Sequence, residues 1–337
     1  MHASRRFFIG FVSVLALAPG PVSPAGAQDG TEAFQAFPSL ATPRKMPKVT
    51  GFTADGTTTA NGVLKDVALE AKLTANGGPV EQGLSWRVFS PIPGEDGKLP
   101  LLATSEGGSA AFTLVPGEYF VNVAFGRAGA TRKIHVPESG AMERQVLVLD
   151  AGGIMLNAVS GSDVRIPPSE LRFSVYSSEV KEDGERPLIV ADVAPESVVR
   201  LNAGTYHVVS DYGSVNAVIR ADIQVEAGKL TQATLQHRAA KLTLKLVSEA
   251  GGEAIADTAW SILTSSGDTV SESVGAFPTL VLAEGSYIVV ARNKDKIYQR
   301  DFTVEAGVNT DIEVKLSDQA PPAGAQAAAD SGSGDAD

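Results

Sequence analysis

Along most of this chain apolar residues return at every second position, in short runs cut by Gly, Pro, Asp and Asn. The run from Val67 to Leu73 sets the pattern. Val67, Leu69, Ala71 and Leu73 fall on one side, and Asp66, Glu70 and Lys72 on the other. A period of two is that of a strand with one face on a core and the other in water. No stretch keeps a 3.6-residue period for more than about two turns, so no helix is expected. Sheets buried on one face only must pack in pairs, which predicts an all-β chain built of antiparallel sandwiches.

The strands are written three times over. "LVPGEYFVNV", "LNAGTYHVVS" and "LAEGSYIVVA" each carry Leu-x-x-Gly-x-Tyr, with Tyr119, Tyr206 and Tyr287 spaced 87 and 81 residues apart. A second landmark is the aromatic centred in "LSWRV", "LRFSV" and "TAWSI": Trp86, Phe173 and Trp260 are 87 residues apart both times. The third copy is therefore six residues shorter between its aromatic and its Tyr, 27 against 33. "HVPESG", "QVEAGK" and "TVEAGV" close the three units on Gly140, Gly228 and Gly307. A period this far above solenoid lengths means tandem domains. The fold expected is three tandem Greek-key β-sandwiches, with a disordered N-terminal leader and C-terminal tail. The boundaries are a signal peptide over 1–27, an extended linker over 28–62, sandwiches over 63–150, 151–239 and 240–317, and an acidic tail over 318–337.

The repeated phrase resembles the tyrosine corner, at which a chain crosses between the two sheets of a sandwich. Gly accepts a backbone angle that a Cβ would oppose. The Tyr ring enters the core while its hydroxyl bonds a backbone group upstream. Immunoglobulin domains place a disulfide cysteine two residues after that Tyr; this chain has Val121, Val208 and Val289 there. Trp86, Phe173 and Trp260 match the aromatic that fills the centre of such cores. A further resemblance lies in "NGGPVEQGLSWRV" and "AGGEAIADTAWSI", each followed by its Tyr corner. These are similar to bacterial carboxypeptidase-regulatory-like modules, which are prealbumin-like sandwiches. The likeness runs from Val63 to Leu316, although "SDVRIPPSELRFSV" in the second unit lacks the Gly-Pro start. It implies a non-catalytic accessory or structural module and supplies no site residues. Immunoglobulin-like and prealbumin-like topologies share these signals, so both stay open.

The ends speak to location. Arg5 and Arg6, an apolar stretch from Phe7 to Ala18 and a closing Ala25-Gly26-Ala27 make an export signal. Twelve apolar residues fall short of the roughly 20 that span a bilayer. "SRRFFI" resembles a twin-arginine signal, which implies export of a folded protein; an ordinary signal with adjacent arginines is the other reading. Either way the mature chain is expected to be periplasmic or secreted, without a membrane span. Its net charge of −11 becomes −13 once the two arginines of the signal are removed. An acidic surface repels phosphate backbones, so no nucleic-acid partner is expected. There is no cysteine, hence no disulfide or thiolate metal site.

Chemistry is sparse. His135, His207 and His237 lie in different places at no metal-ligand spacing, and are expected to be solvated. No Gly-x-Ser-x-Gly, His-Glu-x-x-His or phosphate-binding Gly-Lys loop occurs. "GRAGATRK" from Gly126 reads as a hairpin turn. "EDGKLPLL" and "EDGERPLI" start 87 residues apart, at Glu95 and Glu182. Asp-Gly between strands makes a tight turn with Gly97 and Gly184 left-handed. The alternative is that Glu95, Asp96, Glu182 and Asp183 line a cation or ligand site, although calcium wants more oxygens than a pair of carboxylates provides. The expectation is therefore an exported, non-enzymatic spacer or binding module of the cell envelope, without catalytic, cofactor or metal residues. Its partner would be an envelope protein or polysaccharide. The second reading is a carbohydrate-binding or accessory region of an envelope enzyme with an unrecognised carboxylate site.

Overall fold

The computed structural model describes residues 64–319. The expected signal peptide and extended leader, and the tail from 320 onward, lie outside the described residues. Asp318 and Gln319, assigned to the tail on composition, are held against a strand of the third unit by a backbone bond of 2.9 Å from Gln299 and a bridge to Tyr298.

Among the described residues the structure is all-β apart from one 3-10 turn at Pro168–Glu170. The first unit holds β1 (Lys65–Lys72), β2 (Leu84–Phe89), β3 (Leu101–Gly107), β4 (Ala110–Leu114), β5 (Gly117–Phe125), β6 (Ala128–Val136) and β7 (Gln145–Val148). The second holds β8 (Ala151–Ser160), the short β9 (Val164–Arg165), β10 (Leu171–Ser177), β11 (Leu188–Val193), β12 (Val198–Asn202), β13 (Gly204–Tyr212), β14 (Val218–Val225) and β15 (Leu230–His237). The third holds β16 (Ala239–Val247), β17 (Thr258–Thr264), β18 (Thr269–Val274), β19 (Thr279–Ala283), β20 (Gly285–Asn293), β21 (Lys296–Val304) and β22 (Thr310–Lys315).

Six sheets pair into three Greek-key sandwiches of one topology. One sheet of each unit runs β3-β2-β5-β6, β11-β10-β13-β14 or β18-β17-β20-β21. Opposite lies β4-β1-β7, β12-β8-β15 or β19-β16-β22. The first strand pairs antiparallel with the fourth and parallel with the seventh, as in β16 with β19 and β22. In an immunoglobulin sandwich the first, second, fourth and fifth strands share a sheet. Here the second and fifth lie opposite the first and fourth, which departs from that arrangement.

Each unit has its own core. Trp86, Phe173 and Trp260 are buried at the three centres. A buried indole N–H needs an acceptor: Trp86 Nε1 donates to the Gly108 carbonyl at 2.7 Å and Trp260 Nε1 to Gly275 at 2.8 Å. Phe173 has no such group to satisfy. The corner closes as its residues predict. The hydroxyls of Tyr119, Tyr206 and Tyr287 donate to the carbonyls of Val115, Asn202 and Ala283 at 2.9, 2.8 and 2.9 Å, always four residues upstream. Gly117, Gly204 and Gly285 hold φ of 151°, 154° and 158° at the crossing.

Candidate functional site

The units are joined almost without linker, and both joints are built alike. β7 reaches β8 through Leu149 and Asp150, and β15 reaches β16 through Arg238 alone. The connecting residue is fixed by its own carbonyl: Asp150 O accepts from Ala203 N at 2.7 Å, and Arg238 O from Glu284 N at 2.8 Å. Ala203 and Glu284 hold the same place, one residue before the corner Gly. Arg238 also grips the Glu284 carboxylate with two bonds of 2.6 and 2.9 Å, an exposed bidentate pair.

Two turns of one unit meet the next. The turn after β5 sets Gly126 against Arg200, and the turn after β13 sets Gly213 against Val281. A Cβ on Gly126 would lie 3.0 Å from Arg200 Cβ, and one on Gly213 2.8 Å from Val281 Cβ. The turn after the first strand meets the closing Val-Glu-Ala-Gly turn of the following unit. There a Cβ on Gly228 would meet Thr74 Cγ2 at 2.9 Å, and one on Gly307 would meet the Gly161 Cα at 3.1 Å. Apolar side chains cross the second joint, with Val281 of the third unit in the core of the second and Val215 of the second against the core of the third.

An asparagine clamps each joint, from opposite sides. Asn202 of the second unit accepts from Gly129 N at 3.1 Å and donates to the carbonyls of Gly129 and Leu149 at 3.2 and 2.7 Å. Asn216, also of the second unit, reaches into the third. It accepts from Ala283 N at 2.9 Å and donates to the Tyr287 hydroxyl at 2.9 Å. Charge is partly buried here too. The Arg200 guanidinium stacks 4.4 Å above the Phe125 ring across the first joint, and burial lowers its pKa. Lys241 of the third unit pairs with Glu170 of the second.

His237 overturns its expectation. It is fully buried, not solvated: on β15 it shares the inward face with Leu235, and its register partner on β8 is Ser160. Nε2 lies 2.9 Å from Ser210 Oγ, Tyr212 packs edge-on at 5.7 Å, and Nδ1 has no partner. Burial depresses its pKa from 6.5 to about 4. His207 is largely covered and pairs with Asp222 at 2.7 Å, whereas His135 is exposed.

The acidic arms between β2 and β3 and between β10 and β11 are turns, as their Asp-Gly pairs predict. Gly97 and Gly184 are left-handed, at φ 73° and 82°. Asp96 Oδ1 accepts from Lys98 N at 3.0 Å and Asp183 Oδ1 from Glu185 N at 2.9 Å, so each carboxylate serves its own turn. Among the described residues no three His, Cys, Asp or Glu side chains assemble at metal-binding range. A shallow cleft of about 530 Å³ lies on the outer face of the third unit between Ser261, Glu272, Val274, Val290, Arg292 and Ile297.

Residues 241–316, which run from β16 to just past β22, match the family model described as Rhizobiales growth-associated tandem repeat domain. No curated protein matches the chain. Among solved structures, the chain is similar to the Bacillus anthracis TIE protein at 17% identity and TM-score 0.21, over 75% of this chain and 50% of that one. It is similar to a streptococcal ancillary pilin at 11% identity and TM-score 0.27, over 77% of this chain and all of the other. It is similar to the minor pilin of Streptococcus agalactiae at 14% identity and TM-score 0.28, over 51% of this chain and 95% of that one. The chain spans half the length of the TIE protein. No helix among the described residues is long and apolar enough to cross a membrane.

Proposed function

We propose that this protein is an exported, non-enzymatic spacer of the cell envelope: an array of sandwiches that holds a fixed separation and presents its loops to an envelope protein or polysaccharide. The observation that carries the reading is the repetition of the joints. Flexible linkers would let the sandwiches swing. Here a one- or two-residue connection, a carbonyl lock, a glycine seat and an asparagine clamp recur at both joints. Such a construction suits a part whose output is distance and orientation. The tandem-repeat family matched by the third unit supports the same reading, as does the export signal read in residues 1–27.

Two measurements test it. An alkaline phosphatase fusion behind residue 62 should be active outside the cytoplasm and lose that activity when residues 1–27 are removed. Small-angle scattering of residues 28–337 should give a distance distribution that salt does not alter, and that broadens when four Gly-Ser residues are inserted after Arg238. A parent already as broad as the insertion variant would refute the spacer.

A further inference from the structure

The two ends of the array are not equivalent. Gly126, Gly213 and Lys294 occupy one position, seven residues after Tyr119, Tyr206 and Tyr287. All three are left-handed, at φ 66°, 71° and 53°. At the first two the following unit sits so close that a Cβ would meet Arg200 or Val281 at 3.0 or 2.8 Å. The third copies the left-handed φ but carries a lysine, in an exposed turn with Asp295. A left-handed lysine is unfavourable in itself, and at the two matched positions a Cβ alone would already press on the following unit.

Among the described residues, nothing packs on the receiving end of the first unit. In the later units the residue pairs at this edge are Ala151 with Asn202 and Ala239 with Ala283, and Ala151 and Ala239 are 0% exposed under the preceding unit. One step beyond the Lys65–Leu114 pair, the same edge of the first unit places Leu64 and Val115, which are 62% and 47% exposed. Pro116 stands where Ala203 and Glu284 donate to the linker carbonyl. Having no N–H, it cannot make the carbonyl lock seen at the two inner joints. Gly140, with φ 82°, has nothing within 4 Å of its would-be Cβ, whereas Gly228 and Gly307 are pressed by the preceding unit.

We infer that the array is directional: the first unit keeps a docking face for a sandwich whose hairpin turn carries glycine, and Lys294 stops a second copy of this chain from supplying it. A head-to-tail contact between copies is heterologous and would grow into an open filament, and polar caps end repeat arrays in the same way. The inference goes beyond the spacer reading, because it concerns which end of the chain can be extended. The docking contact is continuous in kind with the two joints inside the chain.

The test makes a second copy the probe. In sedimentation velocity the full mature chain should run as a monomer. Lys294→Gly should form species of twice the monomer mass and above, growing with concentration. Lys294→Ala should stay monomeric, since a Cβ alone already closes the seat; this separates the need for glycine from loss of the charge. Adding Val115→Asp to Lys294→Gly should restore the monomer, with a melt to confirm that the exposed site has not unfolded the unit. A monomeric Lys294→Gly chain, equal association of the Ala and Gly variants, or association that survives Val115→Asp would each overturn the inference. So would head-to-tail association of the parent through Val115.

Discussion

At the scale of single residues, the tyrosine corners and His237 carry the most consequence. Tyr206→Phe removes one buried hydroxyl bond and should cost about 0.5–1.5 kcal/mol. Tyr287→Phe should cost more, roughly twice as much, because its oxygen also accepts from Asn216 across the joint. Urea midpoints of the two variants, compared with the parent, check the order. His237 sets a pH dependence of definite sign. Its folded pKa is depressed from 6.5 to about 4, so the unfolded chain binds the proton more readily between those values. Stability is then fully present above about pH 6.5 and lost as pH falls toward 4. At about 1.4 kcal/mol per pH unit the contribution is on the order of 3 kcal/mol. Titrating carboxylates contribute to both proteins over the same range, so the measurement is a difference: the stability of the parent relative to His237→Phe should fall as the solution is acidified. A gap that stays constant from pH 7 to 4 would refute the assignment.

At the scale of elements, alternation decided strand existence and facing, and Leu-x-x-Gly-x-Tyr located each crossing between sheets. Pairing order was not legible. Nothing in the period of β1 says that β4 lies antiparallel on one side and β7 parallel on the other, because a strand of period two can accept either neighbour. His237 was legible by the same rule as the other strand residues, since it stands two residues after Leu235 on β15 and shares its buried face; the lack of metal-ligand spacing said nothing about its facing. Asn202 and Gly213 look like ordinary corner and turn residues, and only their neighbours across the joints reveal the clamp and the seat. Their one signal in the sequence is that Gly126 and Gly213 recur at matched positions where the third unit has Lys294. The acidic arms were readable, since Asp-Gly turns are local. With Asp96 and Asp183 each bonded to its own turn, too few oxygens are offered for calcium's 6–8. Millimolar calcium should leave the melting temperature unchanged, in the parent and in a variant with Glu95→Gln, Asp96→Asn, Glu182→Gln and Asp183→Asn. Binding at 100 times the dissociation constant would instead add roughly 2.7 kcal/mol, so a clear upward shift confined to the parent would make the arms a metal site.

At the scale of the whole molecule, the question is whether the units behave as one body, and two glycines separate local strain from contact between units. Gly97 and Gly213 have nearly the same φ, 73° and 71°. A Cβ on Gly97 meets nothing within 4 Å, whereas one on Gly213 meets Val281 Cβ at 2.8 Å and Cγ2 at 3.0 Å. Gly97→Ala therefore carries the left-handed penalty alone, about 1–2 kcal/mol. Gly213→Ala carries that penalty and must also push the second and third units apart, which overpacking values place at about 1–3 kcal/mol more. The consequences differ in kind as well as size. Pushing Val281 away opens the seat that holds the third unit against the second and draws Asn216 off Ala283 and Tyr287. Gly213→Ala should thus split a shared melting transition and broaden the scattering distance distribution, while Gly97→Ala lowers stability without changing either. If the two variants lose the same stability and scatter alike, the glycine seat transmits nothing between units, and their alignment rests on the Arg238 connection and its carbonyl lock alone.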